Sequence, residues 1–225
     1  MIEERIRLGG LDAIAVGERE TARVVAVVLH GFQMEPSDLS PFAHSMQAPA
    51  WFLFPEAPLA AAGRGRAWWH IDVRSRDEAL KKGPRDFAPQ HPPDLPEARA
   101  RLAAFVTAVR ASLPGKRLVV AGFSQGGMLA CDTFLRDNLP VDALALLSAS
   151  RIAFDEWTPY LDRLRGLPVM VSHGDGDADL AFSAGEALRD FLTSAGARVT
   201  WVPFSGGHEI PLVVWRSLRK FLLAT

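Results

Sequence analysis

Several features that mark whole classes of protein are scarce or missing in this sequence. Its single cysteine, Cys131, excludes a disulfide framework and a cysteine-built zinc site, and fits a reducing compartment. No apolar run approaches the ~20 residues of a membrane-spanning helix; a typical one covers only residues 24–29. The first five residues are too charged for a secretory signal peptide. We therefore expect a cytoplasmic protein without stable membrane insertion.

A surplus of positive charge is missing as well. Lysine and arginine number 25 against 26 aspartates and glutamates, so the net charge is −1. General nucleic-acid binding needs a positive surplus that neutralises phosphates, and we expect no nucleic-acid partner. Internal repeats and low-complexity tracts are also missing. At 225 residues, with 48% hydrophobic and 23% charged residues, the chain fits a single domain over residues 1–225 with a sizeable core.

What is present is an alternation of buried strands and amphipathic helices. Short apolar runs rich in β-branched residues are typical of strands that are covered on both faces by helices. Between them, apolar residues recur at helical spacing, as they do from Leu95 to Leu113. The alternation predicts an α/β fold with a mainly parallel sheet flanked by helices on both faces. The predicted strands are 24–29, 51–54, 118–121, 143–147, 168–171 and 198–202, with a more exposed N-terminal hairpin of 5–8 and 13–16 around Gly9-Gly10.

Residues 55–93 interrupt this rhythm. The segment is rich in Pro, Gly, Arg and Ala and contains Trp68 and Trp69. Loops this long are usually lids, binding loops or partly disordered segments. Strands continue on both sides, so the segment predicts a long substrate-binding loop rather than a domain boundary.

The residues Gly122-Phe123-Ser124-Gln125-Gly126 lie between a predicted strand and a predicted helix. This is the G-x-S-x-G pattern of a nucleophile elbow, in which a strained tight turn lifts the serine hydroxyl above the sheet. The pattern alone is weak, and a glycine-rich turn that cradles phosphate is the alternative. Its position between strand and helix favours Ser124 as a nucleophile.

A nucleophilic serine needs a base and an acid that orients the base. In this strand–helix context the chain order is Ser, then Asp or Glu, then His. His208 follows the strand 198–202, and an aspartate cluster follows the strand 168–171, both at carboxyl strand ends. We favour Asp177 as the acid and keep Asp175 in reserve, since it also fits a turn, while Asp179 resembles an N-cap for the next helix.

The loop after the first buried strand supplies a second oxyanion donor in such sites. Here that loop is Leu29-His30-Gly31-Phe32. We expect the backbone N–H groups of Phe32 and Gln125 to bind the oxyanion. His30 is expected to hydrogen-bond within its loop, because His208 fills the position of the base.

These motifs resemble the phospholipase/carboxylesterase family of α/β hydrolases. The resemblance rests on Leu-His-Gly at 29–31, Gly-Phe-Ser-Gln-Gly-Gly at 122–127, His-Gly-Asp-Gly-Asp at 173–177 and Gly-Gly-His-Glu at 206–209. It implies an α/β-hydrolase fold without a large cap domain, a Ser124–His208–Asp177 triad, and oxyanion N–H groups at Phe32 and Gln125. Where the family often carries Trp-Phe-Asp, this chain has Ala-Trp-Trp-His-Ile-Asp at 67–72.

The resemblance implies a hydrolase that cleaves carboxylic esters of small or medium acyl groups through an acyl-enzyme. A lysophospholipase or acyl-protein thioesterase is the alternative within the enzymes, and a non-catalytic binding module with the hydrolase fold is the alternative outside them. The expected partner is a small-molecule ester, and a homodimer is compatible with the sequence. Neither a metal nor an organic cofactor is implied.

Three further features of the sequence allow two interpretations each. Trp68 and Trp69 either line the substrate pocket or pack as core beneath the long loop. The segment 63–86 has seven lysines and arginines against four acids, which favours either anionic substrates or a solvated loop, and we favour the solvated loop. Cys131 lies two helical turns after Ser124 and is expected to be a small buried residue rather than a second nucleophile.

Overall fold

The computed structural model describes residues 2–224 and is built around an eight-stranded sheet. The strand order across the sheet is β1-β2-β4-β3-β7-β8-β9-β10, and every pair from β4 to β10 is parallel. The strands are β1 (Glu3–Leu8), β2 (Leu11–Val16), β3 (Val24–Leu29), β4 (Ala50–Pro55), β5 (Leu59–Ala60), β6 (Arg66–Ala67), β7 (Arg117–Phe123), β8 (Ala143–Leu147), β9 (Pro168–Gly174) and β10 (Arg198–Phe204).

Helices cover both faces of this sheet. Along β3, Val25 and Val27 belong to the core layer under α3, α4 and α5, while Val24 and Val28 belong to the layer under α1 and α6. Such alternation buries every residue of the strand, which explains its continuous apolar sequence. The prediction of a mainly parallel sheet between two helical layers is confirmed. The helices are α1 (Pro36–Met46), α2 (Val73–Leu80), α3 (Leu95–Ser112), α4 (Gln125–Asp137), α5 (Phe182–Ser194) and α6 (Leu212–Leu223).

The N-terminal hairpin forms as predicted, but its second strand is not an exposed edge. β1 and β2 pair antiparallel, with Leu8 opposite Leu11 across the Gly9-Gly10 turn. β2 also pairs antiparallel with β4, so it lies inside the sheet and most of its residues are buried. Of the hairpin, only β1 forms an exposed edge of the sheet, whose other edge strand is β10. The sequence pattern missed this because the second pairing partner of β2 lies some forty residues further along the chain.

The long segment 55–93 is ordered and contains three short elements that the sequence pattern missed. β5 and β6 form a two-stranded hairpin, and α2 follows them. Two isolated bridges connect the segment to the rest of the molecule: Met34 pairs with Arg66, and Arg85 pairs with Leu180. The segment is therefore held against the carboxyl ends of the sheet strands. Within residues 2–224, no helix has the length and apolar character needed to cross a membrane.

Candidate active site

Ser124 lies in the turn between β7 and α4, with backbone angles of φ 53° and ψ −116°. A positive φ is rare for a residue with a side chain and marks a strained position. The turn is tight: a Cβ on Gly122 would lie 2.3 Å from the carbonyl oxygen of Gly126, and one on Gly126 would lie 2.7 Å from that of His30. Glycine is therefore required two residues before and two residues after Ser124.

The structure brings three of the predicted site residues into one chain of hydrogen bonds. His208 Nε2 lies 2.8 Å from Ser124 Oγ, and His208 Nδ1 lies 2.6 Å from Asp177 Oδ2. Both contacts are made when the proton of the neutral imidazole is on Nδ1, so that Ser124 donates and Asp177 accepts. The ring of Phe123, 4.9 Å from the His208 ring between centroids, packs against the imidazole.

Asp177 is buried and has a hydrogen-bond donor for each of its oxygens. Its Oδ1 accepts the backbone N–H groups of Asp179 and Leu180 at 2.8 and 2.9 Å. Burial by itself raises the pKa of this carboxyl, but hydrogen bonds from His173 and His208 and from the backbone outweigh it and hold the pKa well below its usual range. Asp177 is therefore a carboxylate at neutral pH, as an acid that orients an imidazole must be.

The other two aspartates of the cluster have different partners. Asp175 accepts hydrogen bonds from the Ser205 hydroxyl at 3.1 Å and the Gly206 N–H at 3.2 Å, and so ties the strand end of β9 to the loop that carries His208. Asp179 is not the helix cap that the sequence suggested. Ala181 holds the N-cap position of α5, and Asp179 forms ion pairs with Arg76 and Arg85.

The loop after β3 lies next to the elbow, and both Phe32 and Gln125 line the cavity beside Ser124. Gln125 is the first residue of α4, where a backbone N–H has no acceptor within its own helix. His30 is fully buried, with Nδ1 2.8 Å from the Gly31 carbonyl and Nε2 accepting the Ala57 N–H at 3.1 Å. Burial lowers the pKa of His30 to about 4, so the ring is neutral and structural, as expected from the sequence.

Trp68 and Trp69 are both fully buried, and the side chain of Gln125 holds their backbone. The Gln125 carboxamide accepts the Trp68 N–H at 2.8 Å and donates to the Trp69 carbonyl at 2.9 Å. The Trp68 indole donates to the His30 carbonyl at 2.9 Å. The structure thus places Trp68 in the core, where it supports the loop of His30 as the core interpretation expected, while Trp69 lines a second cavity next to the first.

The cavity beside Ser124 has a volume of about 80 Å³. Its lining includes two residues that the sequence analysis did not single out, Arg76 and Arg85. The sequence signal was there, as a positive excess in the segment 63–86, but only the fold shows which cations turn inward. A third missed residue is His173, fully buried, whose Nε2 lies 3.4 Å from the Asp177 carboxylate. Among residues 2–224, no group of three or more His, Cys, Asp or Glu side chains could hold a metal ion.

The comparisons with known proteins agree on one family. The model of the phospholipase/carboxylesterase family matches residues 13–225. Among curated proteins, acyl-protein thioesterase 1 of Neurospora crassa is 27% identical over 118 residues, which cover 51% of this chain and 48% of that protein. The match thus spans about half the length of that relative.

Solved structures agree in fold over nearly the whole chain. A carboxylesterase from Mesorhizobium loti superposes with a TM-score of 0.77 at 19% identity and covers 99% of each chain. Esterase PE8 superposes with a TM-score of 0.75 at 23% identity, covering 94% of this chain and 97% of its own. These likenesses confirm the predicted α/β-hydrolase fold.

Proposed function

Because this chain belongs to the phospholipase/carboxylesterase family, a family of hydrolases, we propose that it is a serine hydrolase that cleaves carboxylic esters. In this proposal Ser124 is the nucleophile, His208 the general base and acid, and Asp177 the residue that orients His208. The substrate is an ester of a small or medium acyl group, and the reaction runs through an acyl-enzyme.

The observation that carries the proposal is the hydrogen-bonded chain from Asp177 through His208 to Ser124 at the edge of a cavity. The hydroxyl, the imidazole and the ionised carboxylate follow one another in the order that proton transfer needs. Ser124 also lies at the strained turn that presents a nucleophile to substrate.

The first half of the reaction follows from these contacts. His208 Nε2 accepts the Ser124 proton as Oγ attacks the acyl carbon, and Asp177 stabilises the imidazolium that forms. The carbonyl oxygen becomes an oxyanion, which the N–H groups of Phe32 and Gln125 bind. The C–O bond then breaks, His208 gives its proton to the departing alcohol, and the acyl group remains on Ser124.

The second half repeats the same steps with water. His208 accepts a proton from the water molecule that attacks the acyl carbon, and a second oxyanion forms at the same two N–H groups. Collapse of this intermediate breaks the bond to Ser124 Oγ, which recovers its proton from His208. The carboxylic acid product leaves and the enzyme is restored.

The size of the cavity supports a small acyl group. At about 80 Å³ it is far below the roughly 300–1,000 Å³ of pockets that enclose drug-sized ligands. A long acyl chain, as in the substrate of a lysophospholipase or depalmitoylating thioesterase, would have to extend beyond this cavity, into the neighbouring cavity of about 590 Å³ that Trp69 lines.

The decisive experiment compares the wild type with Ser124→Ala on a short-chain aryl ester. We expect turnover to fall by about four or more orders of magnitude, because the nucleophile is lost. Full activity in the purified variant would contradict the proposed nucleophile. Ser217, a half-buried serine on α6, provides the matched control as Ser217→Ala, which should retain wild-type turnover.

A fluorophosphonate probe separates an enzyme from a binding module that keeps only the fold. An activated serine attacks the phosphorus and becomes labelled, so the wild type should carry one label on Ser124. The Ser124→Ala variant should stay unlabelled. An unlabelled wild type would favour the non-catalytic alternative.

A further inference from the structure

Two arginines of the long segment 55–93 lie beside the proposed nucleophile. Arg76 is on α2 and Arg85 follows that helix, and both line the cavity with Ser124 and His208. Their side chains are only 23% and 17% exposed. Arg74, on the same helix, is solvent-exposed. The interpretation of segment 63–86 as a solvated loop therefore fails for Arg76 and Arg85.

One carboxylate pairs with both guanidinium groups. Asp179 forms ion pairs with Arg76 and with Arg85. Burial raises the pKa of this carboxyl, but the hydrogen bonds from the two arginines outweigh it and lower the pKa below its usual range. Arg76 also lies 3.8 Å from the carboxylate of Asp77. This distance is too long for a hydrogen bond, and the Asp77 side chain is exposed to solvent. The three groups that face the cavity thus leave one positive charge uncompensated.

The two arginines also keep hydrogen-bond donors to spare. A guanidinium carries five N–H donors, and Asp179 engages one terminal nitrogen of each arginine. The Nε of Arg85 is buried, and within residues 2–224 it has no hydrogen-bond partner. Unmatched buried donors are costly, so the site is suited to an incoming acceptor.

Arg85 is held in place before any ligand arrives. Its backbone N–H donates to the Asp179 carbonyl and its carbonyl accepts the Ala181 N–H, both at 2.9 Å. Its guanidinium carbon lies 4.6 Å from the centroid of the Phe87 ring. A fixed arginine binds an anion with little loss of conformational freedom.

The surroundings of the two arginines strengthen their interaction with an anion. Apart from the groups already named, the cavity wall is mostly apolar, and charges interact more strongly away from water. A second cavity of about 590 Å³ shares part of this wall, including Arg76 and Arg85. The apolar residues of the first cavity are Phe32, Ile71, Phe87, Phe123, Met128 and Leu180.

We propose that Arg76 and Arg85 form an anion subsite, and that the preferred substrates are esters with a carboxylate or phosphate group close to the scissile bond. This inference rests on the proposed esterase function and specifies its substrate class. Guanidinium groups recognise both kinds of oxyanion, usually through paired hydrogen bonds.

The test measures kcat/KM for three phenyl esters that differ in the end of the acyl chain. Phenyl hemisuccinate carries a carboxylate, phenyl 3-phosphonopropanoate carries a phosphonate, and the diester methyl phenyl succinate is neutral. We expect at least one anionic ester to exceed the neutral ester by roughly ten- to hundredfold, the effect of a charged hydrogen bond. The two anionic esters distinguish a carboxylate substrate from a phosphate substrate.

The variants compare buried and exposed arginines. Arg85→Gln and Arg76→Gln should each lower the ratio of anionic to neutral kcat/KM by about tenfold or more. Arg74→Gln removes the same charge from the exposed face of α2 and should leave the ratio unchanged. A wild type that prefers the neutral ester, or a ratio that is equal in all variants, would overturn the subsite. Circular dichroism checks that each variant is folded, and either buried arginine suffices for the comparison.

A binding measurement separates this inference from the esterase proposal. If the wild type cleaves none of the three esters, the proposed function fails, but the subsite can still be measured. Calorimetric titration with phenyl hemisuccinate and phenyl 3-phosphonopropanoate then compares Arg85→Gln with Arg74→Gln, both in the Ser124→Ala background. At least one Kd should be about tenfold weaker or more with Arg85→Gln. Equal Kd values for the Arg85→Gln and Arg74→Gln variants with both anions would overturn the subsite.

Discussion

The carboxyl ends of the sheet strands and the long segment 55–93 meet at the same cavity but are fixed by different kinds of contact. At the strand ends the contacts are between backbones. Gly122 and Gly126 pack without room for a Cβ, and a Cβ on Gly174 would lie 2.4 Å from the Gly207 carbonyl oxygen. The backbone N–H of Asp175 donates to the carbonyl of Phe204, at the end of β10, and that of Gly176 donates to the carbonyl of Gly206, both at 2.9 Å.

In the long segment, side-chain contacts add to the two backbone bridges that Arg66 and Arg85 make. The Gln125 carboxamide holds the backbone of Trp68 and Trp69, and Asp179 holds Arg76 and Arg85. Backbone packing tolerates few residue types, whereas side-chain contacts can be replaced one at a time. We infer from this difference that, in the proposed function, the strand ends carry the reaction chemistry and the segment that covers them selects the substrate.

The largest effect should come from breaking the strand-end site at its acid. Asp177→Asn should lower kcat/KM for a short-chain aryl ester by about 10⁴, because an amide neither holds the required tautomer of His208 nor stabilises its cation. Asp175→Asn is the matched control, since Asp175 bonds to Ser205 and Gly206 instead. A severe loss in the Asp175 variant alone would show that the acid is wrongly assigned.

A second effect concerns how much stability the protein loses in acid because of His30, in the loop after β3. The pKa of His30 is about 4 in the folded protein against 6.5 when exposed, so the unfolded chain binds the proton first as the pH falls. Stability is therefore lost between pH 6.5 and 4, by roughly 3 kcal/mol for this group. Urea unfolding at pH 7 and at pH 4.5 measures it.

The control for this effect is the variant His30→Gln, which cannot titrate. It should be less stable than the wild type at pH 7, because two buried hydrogen bonds are disturbed. Its stability should nevertheless fall less between pH 7 and pH 4.5. An identical fall in wild type and variant would mean that His30 does not contribute to acid sensitivity.

A third effect breaks the junction between the two regions. Gln125→Leu removes both partners of the Trp68 N–H and the Trp69 carbonyl, and should lower the free energy of unfolding by about 2 kcal/mol. Gln90→Leu, at an exposed glutamine of the long segment, should change it by less than about 0.5 kcal/mol. Similar losses in both variants would argue against the view that the Gln125 side chain holds the backbone of Trp68 and Trp69.

The smallest effect is expected behind the nucleophile. Cys131 is completely buried on α4, and burial raises the pKa of its thiol, so it is neither ionised nor accessible. A thiol reagent should leave the folded protein unlabelled and label it in urea. Cys131→Ala should cost about 1 kcal/mol or less. Rapid labelling of the folded protein would contradict the view of Cys131 as a packing residue.

The predictions from sequence were most successful where local patterns suffice. The five buried runs predicted as strands all form, as β3, β4, β7, β8 and β9, because β-branched apolar runs between turn residues have few other interpretations. The further strand predicted at 198–202 forms as the edge strand β10. The pairing of β2 with β4, the helix α2 and the hairpin of β5 and β6 were missed. Each depends on contacts with distant segments, as when Arg66 pairs with Met34.

The sequence by itself determined the elbow around Ser124, the chain order of Ser124, an aspartate of the cluster and His208, and the parallel sheet whose strand ends carry them. Glycine spacing and apolar periodicity are local properties that one chain displays directly. Only the tertiary structure decided that Trp68 supports a loop, that Asp179 pairs with arginines rather than capping α5, and that Arg76 and Arg85 turn toward Ser124. Such contacts join residues up to about a hundred positions apart, and no local pattern records which of several equivalent side chains the fold will bury.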